Sequence, residues 1–139
     1  MKRLLLLCLT FATIRVSAQK VIESNVPEAV KAVFTKGYPG TTGKWIKAGG
    51  NYEVSFDKEM KKMTLVIKKN GNLVQTEYAV TADELPKPVM EYLKTNYKGV
   101  KITEMAHLLK PNGEVQYETV VKGKDVLFDK EGKFLMVEQ

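Results

Sequence analysis

Two stretches of the chain decide its predicted fold: residues 26–40 read VPEAVKAVFTKGYPG, and residues 85–99 read LPKPVMEYLKTNYKG. Both begin with an apolar residue and a proline, continue with apolar residues at helical spacing, and end with a tyrosine two positions before a glycine. Proline suits the first turn of a helix, where its missing N–H has no helical partner to lose. Each stretch therefore predicts an amphipathic helix followed by a turn.

The segments that follow the two predicted helices also match each other in order, which indicates an internal repeat. Residues 50–54 correspond to residues 114–119, and residues 67–74 correspond to residues 128–135. We therefore divide the chain into a signal peptide and two tandem repeats that together form one domain. The predicted boundaries are 1–18 for the signal peptide, 19–80 for the first α+β repeat and 81–139 for the second.

Apolar and polar side chains alternate in the predicted strands, as they do when one face of a sheet is buried. The alternating inward residues are Tyr52, Val54 and Phe56, then Met63, Leu65 and Ile67, and later Val115, Tyr117, Thr119 and Val121. Short turns such as Asn70-Gly71 and Glu131-Gly132 require the strands they join to pair antiparallel. The predicted fold class is α+β, with two tandem repeats, each a helix packed on an antiparallel sheet of about four strands.

The N-terminus has the three parts of a cleavable secretory signal peptide. These are a positive start at residues 2–3, a mostly apolar stretch at residues 4–14, and small or modest side chains at residues 16–18. We predict cleavage between Ala18 and Gln19. A spanning helix needs about 20 apolar residues, so we expect no membrane span after cleavage. The signal predicts a periplasmic or secreted protein.

Cysteine content and charge exclude several classes of protein. The only cysteine, Cys8, lies in the predicted signal, so the mature chain offers no disulfide, thiolate nucleophile or cysteine-bound metal. The whole chain has 22 Lys+Arg and 16 Asp+Glu, a net charge of +6. Three of the basic residues lie in the signal, which leaves 19 against 16 acids and a mature net charge of +3. The lysines alternate with acids, which argues against a nucleic-acid partner.

No pattern of catalytic or metal-binding residues emerges from the sequence. The only histidine, His107, lies in a predicted strand, and the mature serines, Ser24 and Ser55, lie outside any nucleophile motif. One histidine without cysteines does not make a zinc site. The segment 129–132 is predicted to be a turn and not a calcium loop. We therefore predict no catalytic residues, no metal ligands and no cofactor.

Two glutamates and one tryptophan are further candidates for a functional site. Glu53 and Glu118 occupy matching positions in the two repeats, and we expect both to be solvated on the outward faces of their strands. Trp45 has no counterpart in the second repeat. An exposed tryptophan would be a candidate interface anchor, but we expect Trp45 to pack under a loop.

One ordered set of residues runs through both halves: Val26-Pro27, Val30, Phe34, Tyr38-Pro39-Gly40, Trp45, Tyr52-Glu53-Val54 and Asn70-Gly71, then Leu85-Pro86, Tyr97, Tyr117-Glu118, Phe128-Asp129 and Gly132. In these residues, and over nearly all of its mature part, the chain resembles the putative beta-lactamase-inhibitor-like, PepSY-like family of small exported bacterial proteins. The resemblance implies two helix-plus-antiparallel-sheet repeats and residence in the periplasm or outside the cell. It implies no known activity and no catalytic residues, because similarity of fold does not carry function.

Three functions remain open on the sequence alone. The first is a non-enzymatic envelope or secreted module that binds a protein or peptide through a sheet face. The second is a small-molecule or ion-binding envelope protein, which a polar pocket between the halves would favour. The third is a carboxylate-based hydrolase, which would need two acids of raised pKa in one cleft.

The predicted signal provides a direct test. The full chain, expressed in a bacterium with a periplasm, should be recovered there with Gln19 as its first residue, as read by N-terminal sequencing or intact mass. Replacing Ala18 with phenylalanine should block processing, because signal peptidase accepts a small residue at that position. An A18F chain that still begins at Gln19 would contradict the assigned cleavage site.

Overall fold

The computed structural model describes residues 18–138. Residues 1–17, which hold almost all of the predicted signal peptide, lie outside that range. At the predicted cleavage site, Ala18 is exposed and Gln19 begins the first strand. Among the helices of the described range, none has the length and apolar character needed to cross a membrane.

Two α-helices and nine β-strands make up the described part of the chain. The helices are α1 (Glu28–Gly37) and α2 (Lys87–Asn96). The strands are β1 (Gln19–Val21), β2 (Lys44–Ala48), β3 (Asn51–Lys58), β4 (Lys61–Lys68), β5 (Leu73–Ala79), β6 (Ile102–Leu109), β7 (Val115–Val121), β8 (Lys124–Asp129) and β9 (Phe134–Glu138). Pro27 and Pro86 each lie one residue before a helix, so the helix starts are predicted to within one residue.

All nine strands form one antiparallel sheet in chain order, from β1 at one edge to β9 at the other. The α+β class is confirmed, but the expectation of a separate sheet in each half is wrong. Strand β5 pairs with β6, with Thr76 opposite Leu109 and Tyr78 opposite His107. Two separate sheets would leave both of these strands as edges with unpaired N–H and C=O groups, and their pairing removes that liability.

Both helices pack on the same face of the sheet, as the strand register demonstrates. Opposite residues in antiparallel strands point to the same face, and Tyr78, His107, Tyr117 and Phe128 are successive partners across β5 to β8. Tyr78 packs against the core beneath α1, whereas Phe128 belongs to the core beneath α2. The other face of the sheet therefore carries neither helix.

Each helix covers its own hydrophobic cluster. Beneath α1 the buried residues are Val26, Val30, Phe34, Trp45, Tyr52, Val54, Phe56, Met63, Leu65 and Ile67. Beneath α2 they are Leu85, Val89, Leu93, Val121, Val126 and Phe128. The predicted strand alternation is confirmed, because the inward positions of β3 and β4 are the ones that pack against α1.

A glycine turn closes each cluster against the start of its helix. Gly71 joins β4 to β5 and Gly132 joins β8 to β9, with left-handed φ values of +88° and +85°. A Cβ atom at Gly71 would lie 2.8 Å from the backbone oxygen of Ala29 in α1. A Cβ atom at Gly132 would lie 2.9 Å from the Cβ atom of Pro86. Only glycine fits both the backbone conformation and the space.

Alanine substitutions should separate these two requirements. Gly113, in the turn between β6 and β7, has a similar φ of +84° but open space around it. The G113A variant should lose about 1–2 kcal/mol of unfolding free energy, the cost of a left-handed alanine. The G71A and G132A variants should each lose a further ~1–3 kcal/mol, because the added methyl group meets the helix. Denaturant unfolding measures all three, and equal losses would refute a role for the helix contact.

Candidate functional site

The face of the sheet that neither helix covers is the candidate site, and we call it the open face. Its residues are the outward positions of the strands: Lys20, Lys44, Ile46, Ala48, Asn51, Glu53, Ser55, Asp57, Lys62, Thr64, Val66, Lys68, Gln75, Glu77, Ala79, Glu104, Ala106, Leu108, Gln116, Glu118, Val120, Asp125, Leu127, Asp129, Met136 and Glu138. Because β5 pairs with β6, these positions form one continuous surface across both halves of the chain.

Three apolar side chains on the open face are buried although no helix covers them. The exposed fraction is 7% for Val66, 2% for Leu108 and 8% for Leu127. Leu108 lies between Glu77 and Gln116 in the strand register, and long polar side chains cover apolar neighbours with their methylene groups. The open face therefore has an apolar floor beneath polar side chains.

Six carboxylates stand around this floor, and we call them the carboxylate cluster. They are Glu53 on β3, Glu77 on β5, Glu104 on β6, Glu118 on β7, Asp125 on β8 and Glu138 on β9. Glu118 lies at the centre, with Ala106 and Leu127 directly opposite it on the adjacent strands. Glu104 and Asp125 are its diagonal neighbours, a separation that long side chains can bridge.

The surroundings of Glu118 disfavour its ionised form. Burial raises the pKa of the Glu118 carboxyl, and the negative charge of four other cluster members raises it further, to about 8. Those members, in decreasing order of effect, are Glu77, Asp125, Glu138 and Glu104. Near neutral pH the Glu118 carboxyl of the isolated protein is therefore largely protonated.

Three other members of the cluster share this electrostatic environment. Burial is the largest cause that raises the pKa of Glu53, Glu77 and Asp125, and neighbouring carboxylates add to it. Lys62 on β4 opposes the rise in pKa at Glu53 and Glu77. Gln75 Nε2 also donates a 2.9 Å hydrogen bond to Glu77 Oε1, which favours the charged carboxylate.

None of the six carboxylates belongs to an ion pair within residues 18–138. The ion pairs there are Lys31–Glu28, Lys61–Glu84, Lys110–Glu114 and Lys130–Glu131. The close salt bridges of the described residues therefore involve other side chains, and the carboxylate cluster has no cation in contact. Acids of raised pKa that share one surface are typical of functional sites, although structural networks also produce them.

The carboxylate cluster is too dispersed to bind one metal ion. In the described part of the chain, no three His, Cys, Asp or Glu side chains come close enough to hold a metal. The cluster spans β3 to β9, which is six interstrand steps and about 29 Å at the usual strand spacing. A ligand that contacts all six carboxylates must therefore be of comparable length.

A shallow depression of about 330 Å³ lies on the open face where the two halves join. Its walls include Lys62, Thr64, Glu77, Glu104 and Ala106, from β4, β5 and β6. Pairing of β5 with β6 creates this depression, so it belongs to neither half alone. Its size suits a small polar ligand or one long side chain of a protein partner.

The structure places His107 away from the acids. His107 points to the helix-bearing face, where its ring centre lies 5.8 Å from that of Tyr78 and 5.4 Å from that of Tyr117. Ser55 lies on the open face and shares a 2.9 Å hydrogen bond with the hydroxyl of Thr64. Ser24 lies in a single helical turn, the 3-10 turn before α1. These residues do not come together as a catalytic triad.

Two expectations about single residues need correction. Glu53 and Glu118 do lie on the outward face, but they are partly buried and not freely solvated, because the continuous sheet brings other acids and long side chains beside them. Trp45 is buried, with 4% exposed, and packs edge-to-face on Phe34 of α1 with ring centres 5.6 Å apart. It contacts a helix and not only a loop, and it is no exposed anchor.

Sequence reasoning missed four members of the cluster: Glu77, Glu104, Asp125 and Glu138. Each occupies an outward position of its own strand, so the alternation pattern could have found it. What the pattern lacked was the pairing of β5 with β6, which brings the acids of the two halves onto one surface.

Comparison with known proteins places the chain in a family. The family model described as "Putative beta-lactamase-inhibitor-like, PepSY-like" matches residues 12–75 and 50–136. No curated protein matches the chain.

Several solved structures share the fold. A protein from Bacteroides eggerthii, described as a "putative periplasmic" protein, has 16% identity and a TM-score of 0.66, with 81% of this chain and 88% of that chain covered. A DUF2874 family protein from Bacteroides uniformis has 18% identity and a TM-score of 0.65, with 81% and 88% covered. A BLIP-like protein from Bacteroides fragilis has 23% identity and a TM-score of 0.58, with 81% and 85% covered. At these identities the likeness is one of fold alone.

The raised pKa of Glu118 predicts a pH dependence of stability. The Glu118 carboxyl has a pKa of about 8 in the folded chain against an ordinary 4.5, so the folded state binds this proton more tightly than the unfolded state does. Its contribution to stability should be complete below pH 4.5 and be lost as pH rises to about 8. The E118Q variant should unfold at a higher temperature than the parent at pH 8 and show a flatter profile.

Thermal unfolding between pH 5 and 9 measures this effect. The matched control is Glu91→Gln on the exposed surface of α2, which removes the same charge away from the open face. An E118Q profile that runs parallel to those of the parent and the control would disprove the assignment.

Proposed function

This chain belongs to the PepSY-like, beta-lactamase-inhibitor-like family, and on that premise we propose that it is a non-enzymatic binding protein of the cell envelope or extracellular space. It engages a protein or peptide through the open face of its sheet. The observation that carries this proposal is the open face itself: a continuous surface with a buried apolar floor and partly buried acids that have no cation in contact.

The carboxylate cluster has a cost in folding free energy. Partly buried like charges destabilise the fold, and glutamine at the same positions would form the same strands without that cost. A partner that supplied opposite charge would convert the cost into binding energy.

Export to the periplasm or beyond is part of this proposal. The predicted signal peptide, with cleavage between Ala18 and Gln19, supports it. The Bacteroides eggerthii neighbour is described as periplasmic, which agrees with this location.

We also retain the tandem-repeat organisation, residues 19–80 and 81–139 within one domain, as a proposal. Corresponding elements support it: each half has a helix, a hydrophobic cluster beneath it and a glycine turn against the start of that helix. The repeat would place the matched acids Glu53 and Glu118 on the same face, with one in each half.

A small-molecule or ion-binding function is the second candidate, and the depression at the β5–β6 junction favours it. The walls of the depression offer Lys62, Thr64, Glu77 and Glu104 to a polar ligand. Against this, ligand pockets are usually enclosed and mostly apolar, whereas this depression is shallow and polar.

The hydrolase hypothesis required two acids of raised pKa in one cleft, and the open face does carry acids of raised pKa. Glu118 and Glu77 are the strongest pair for such chemistry. They lie on a broad sheet surface with Leu108 between their strands, and no nucleophile motif accompanies them. Positioning a substrate for catalysis needs an enclosing site, so we rank this function third.

Capture from an envelope extract with matched variants tests the binding function. Mature protein, residues 19–139, is immobilised and the retained proteins are identified by mass spectrometry. The A106W variant places a bulky ring on the open face beside Glu118, and A32W places the same ring on the exposed side of α1. A partner retained by the parent and A32W but lost by A106W would support the proposal.

Folding of both variants is checked by circular dichroism and thermal unfolding. A partner retained equally by A106W and the parent would move the interface off the open face. Failure to retain any partner, combined with a thermal shift on adding a small envelope metabolite, would favour the second candidate.

A further inference from the structure

We propose that the occupant of the open face is a basic, partly apolar segment of another protein, whose lysine or arginine side chains lie among the carboxylate cluster while its apolar side chains contact the exposed apolar residues of this face. This inference rests on the proposed function and names the chemistry of the partner. It follows from the charge of the open face, the span of the carboxylate cluster and the exposed apolar side chains together.

Charge complementarity selects a cationic partner. Glu53, Glu77 and Glu118 are partly buried on the open face and belong to no ion pair in residues 18–138. The open face carries eight acids and four lysines, so it is acidic although the mature chain as a whole is positive. Matching opposite potentials across an interface steers encounter and rejects partners of the wrong charge.

The span of the carboxylate cluster indicates that the partner is a macromolecular segment. Six interstrand steps separate Glu53 on β3 from Glu138 on β9, a distance of about 29 Å. A single ion cannot contact acids so far apart, and no three acids in the described residues are close enough to share one metal. A peptide segment of nine or so extended residues covers about the same length.

Exposed apolar side chains on the open face make the partner more than a polycation. Met136 on β9 is 50% exposed and Val120 on β7 is partly exposed, and burying apolar surface is the main favourable term in protein association. The stems of lysine and arginine are themselves apolar and can lie on these side chains while their charged ends reach the carboxylates. A metal ion would leave these side chains uncovered.

Protonation couples to this binding. Around Glu118 on β7 lie Glu104 on β6, Asp125 and Asp129 on β8, Glu77 on β5 and Glu138 on β9, and the cations of the open face are Lys20, Lys44, Lys62 and Lys68 on β1, β2 and β4. A basic side chain placed among these groups favours the ionised carboxylates and displaces the proton from Glu118. Affinity should therefore rise with pH between about 6.5 and 9, where lysine remains charged.

The test uses a peptide of three Lys-Ala-Leu-Lys repeats, its counterpart with glutamate for every lysine, and the mature chain. The lysine peptide should bind and shift the amide NMR signals of open-face residues on β5 to β8, whereas the glutamate peptide should not bind. The E53Q/E77Q/E118Q variant should bind the lysine peptide about tenfold more weakly, equivalent to about 1.4 kcal/mol. In the single E118Q variant the pH dependence should be flatter than in the parent.

The matched control removes three acids elsewhere. At pH 9, where Glu118 is ionised, the E59Q/E91Q/E131Q variant has the same net charge change on exposed turns and α2, and should bind like the parent. Equal weakening of peptide binding in both triple variants would show that binding depends on overall charge alone, and would overturn the inference. Amide signal shifts confined to the helix-bearing face would also overturn the inference. Charge-dependent self-association detected by light scattering would overturn it as well, because the occupant would then be a second copy of this chain.

The outcome distinguishes this inference from the proposed function. A captured partner that is lost by A106W but retained by E53Q/E77Q/E118Q would leave the open-face binding function intact and refute the cationic partner. A captured partner that is lost by both A106W and E53Q/E77Q/E118Q would support the open-face binding function and the cationic partner together.

Discussion

The pairing of β5 with β6 is the contact on which the rest of the structure depends. It joins the strands of both halves into one sheet and fixes their side chains to two common faces. One face is then wide enough for both helices, and the other becomes a single surface that neither half could form alone. A slip of one residue in this register would exchange the two faces in one half and bring acids under a helix.

The same constraint explains why the two faces differ in composition. Beneath the helices the inward side chains close into two apolar clusters, each held by a helix and a glycine turn. On the open face no helix excludes water, so polar side chains are tolerated there, and the apolar floor is covered by longer neighbours. Hydrophobic burial on one side thus supplies the stability that allows charge repulsion on the other.

Much of the fold follows from local sequence patterns. Helix starts at Pro27 and Pro86, the inward alternation of β3 and the turns at Gly71 and Gly132 all depend on residues near each other in the chain. The continuity of the sheet does not follow from such patterns, because Tyr78 and His107 are paired although α2 and its loops separate them in the sequence. Strand alternation specifies a face but leaves open which strand will be its neighbour.

The candidate site was less predictable than the fold for the same reason. Glu53 and Glu118 were recognisable as outward residues, but their pKa depends on acids from other strands, and solvation was the wrong expectation. The burial of Trp45 depended likewise on Phe34 of α1, a contact between distant elements. Residue type and spacing identify the outward carboxylates. How many of them share one low-dielectric surface is determined only by the pairing of distant strands.

Net charge is a poor guide to such a surface, and the reason is distance. The mature chain is positive, yet charges in solution are screened over about 8 Å at physiological salt, which is less than the width of two strands. A group that contacts the centre of the open face therefore responds to Glu118 and its diagonal neighbours and only weakly to lysines on the helices. Partial burial reduces screening further for the acids themselves. Recognition at this face is consequently decided by the carboxylates within one or two strands of the contact, and the overall charge of the protein affects only the long-range approach.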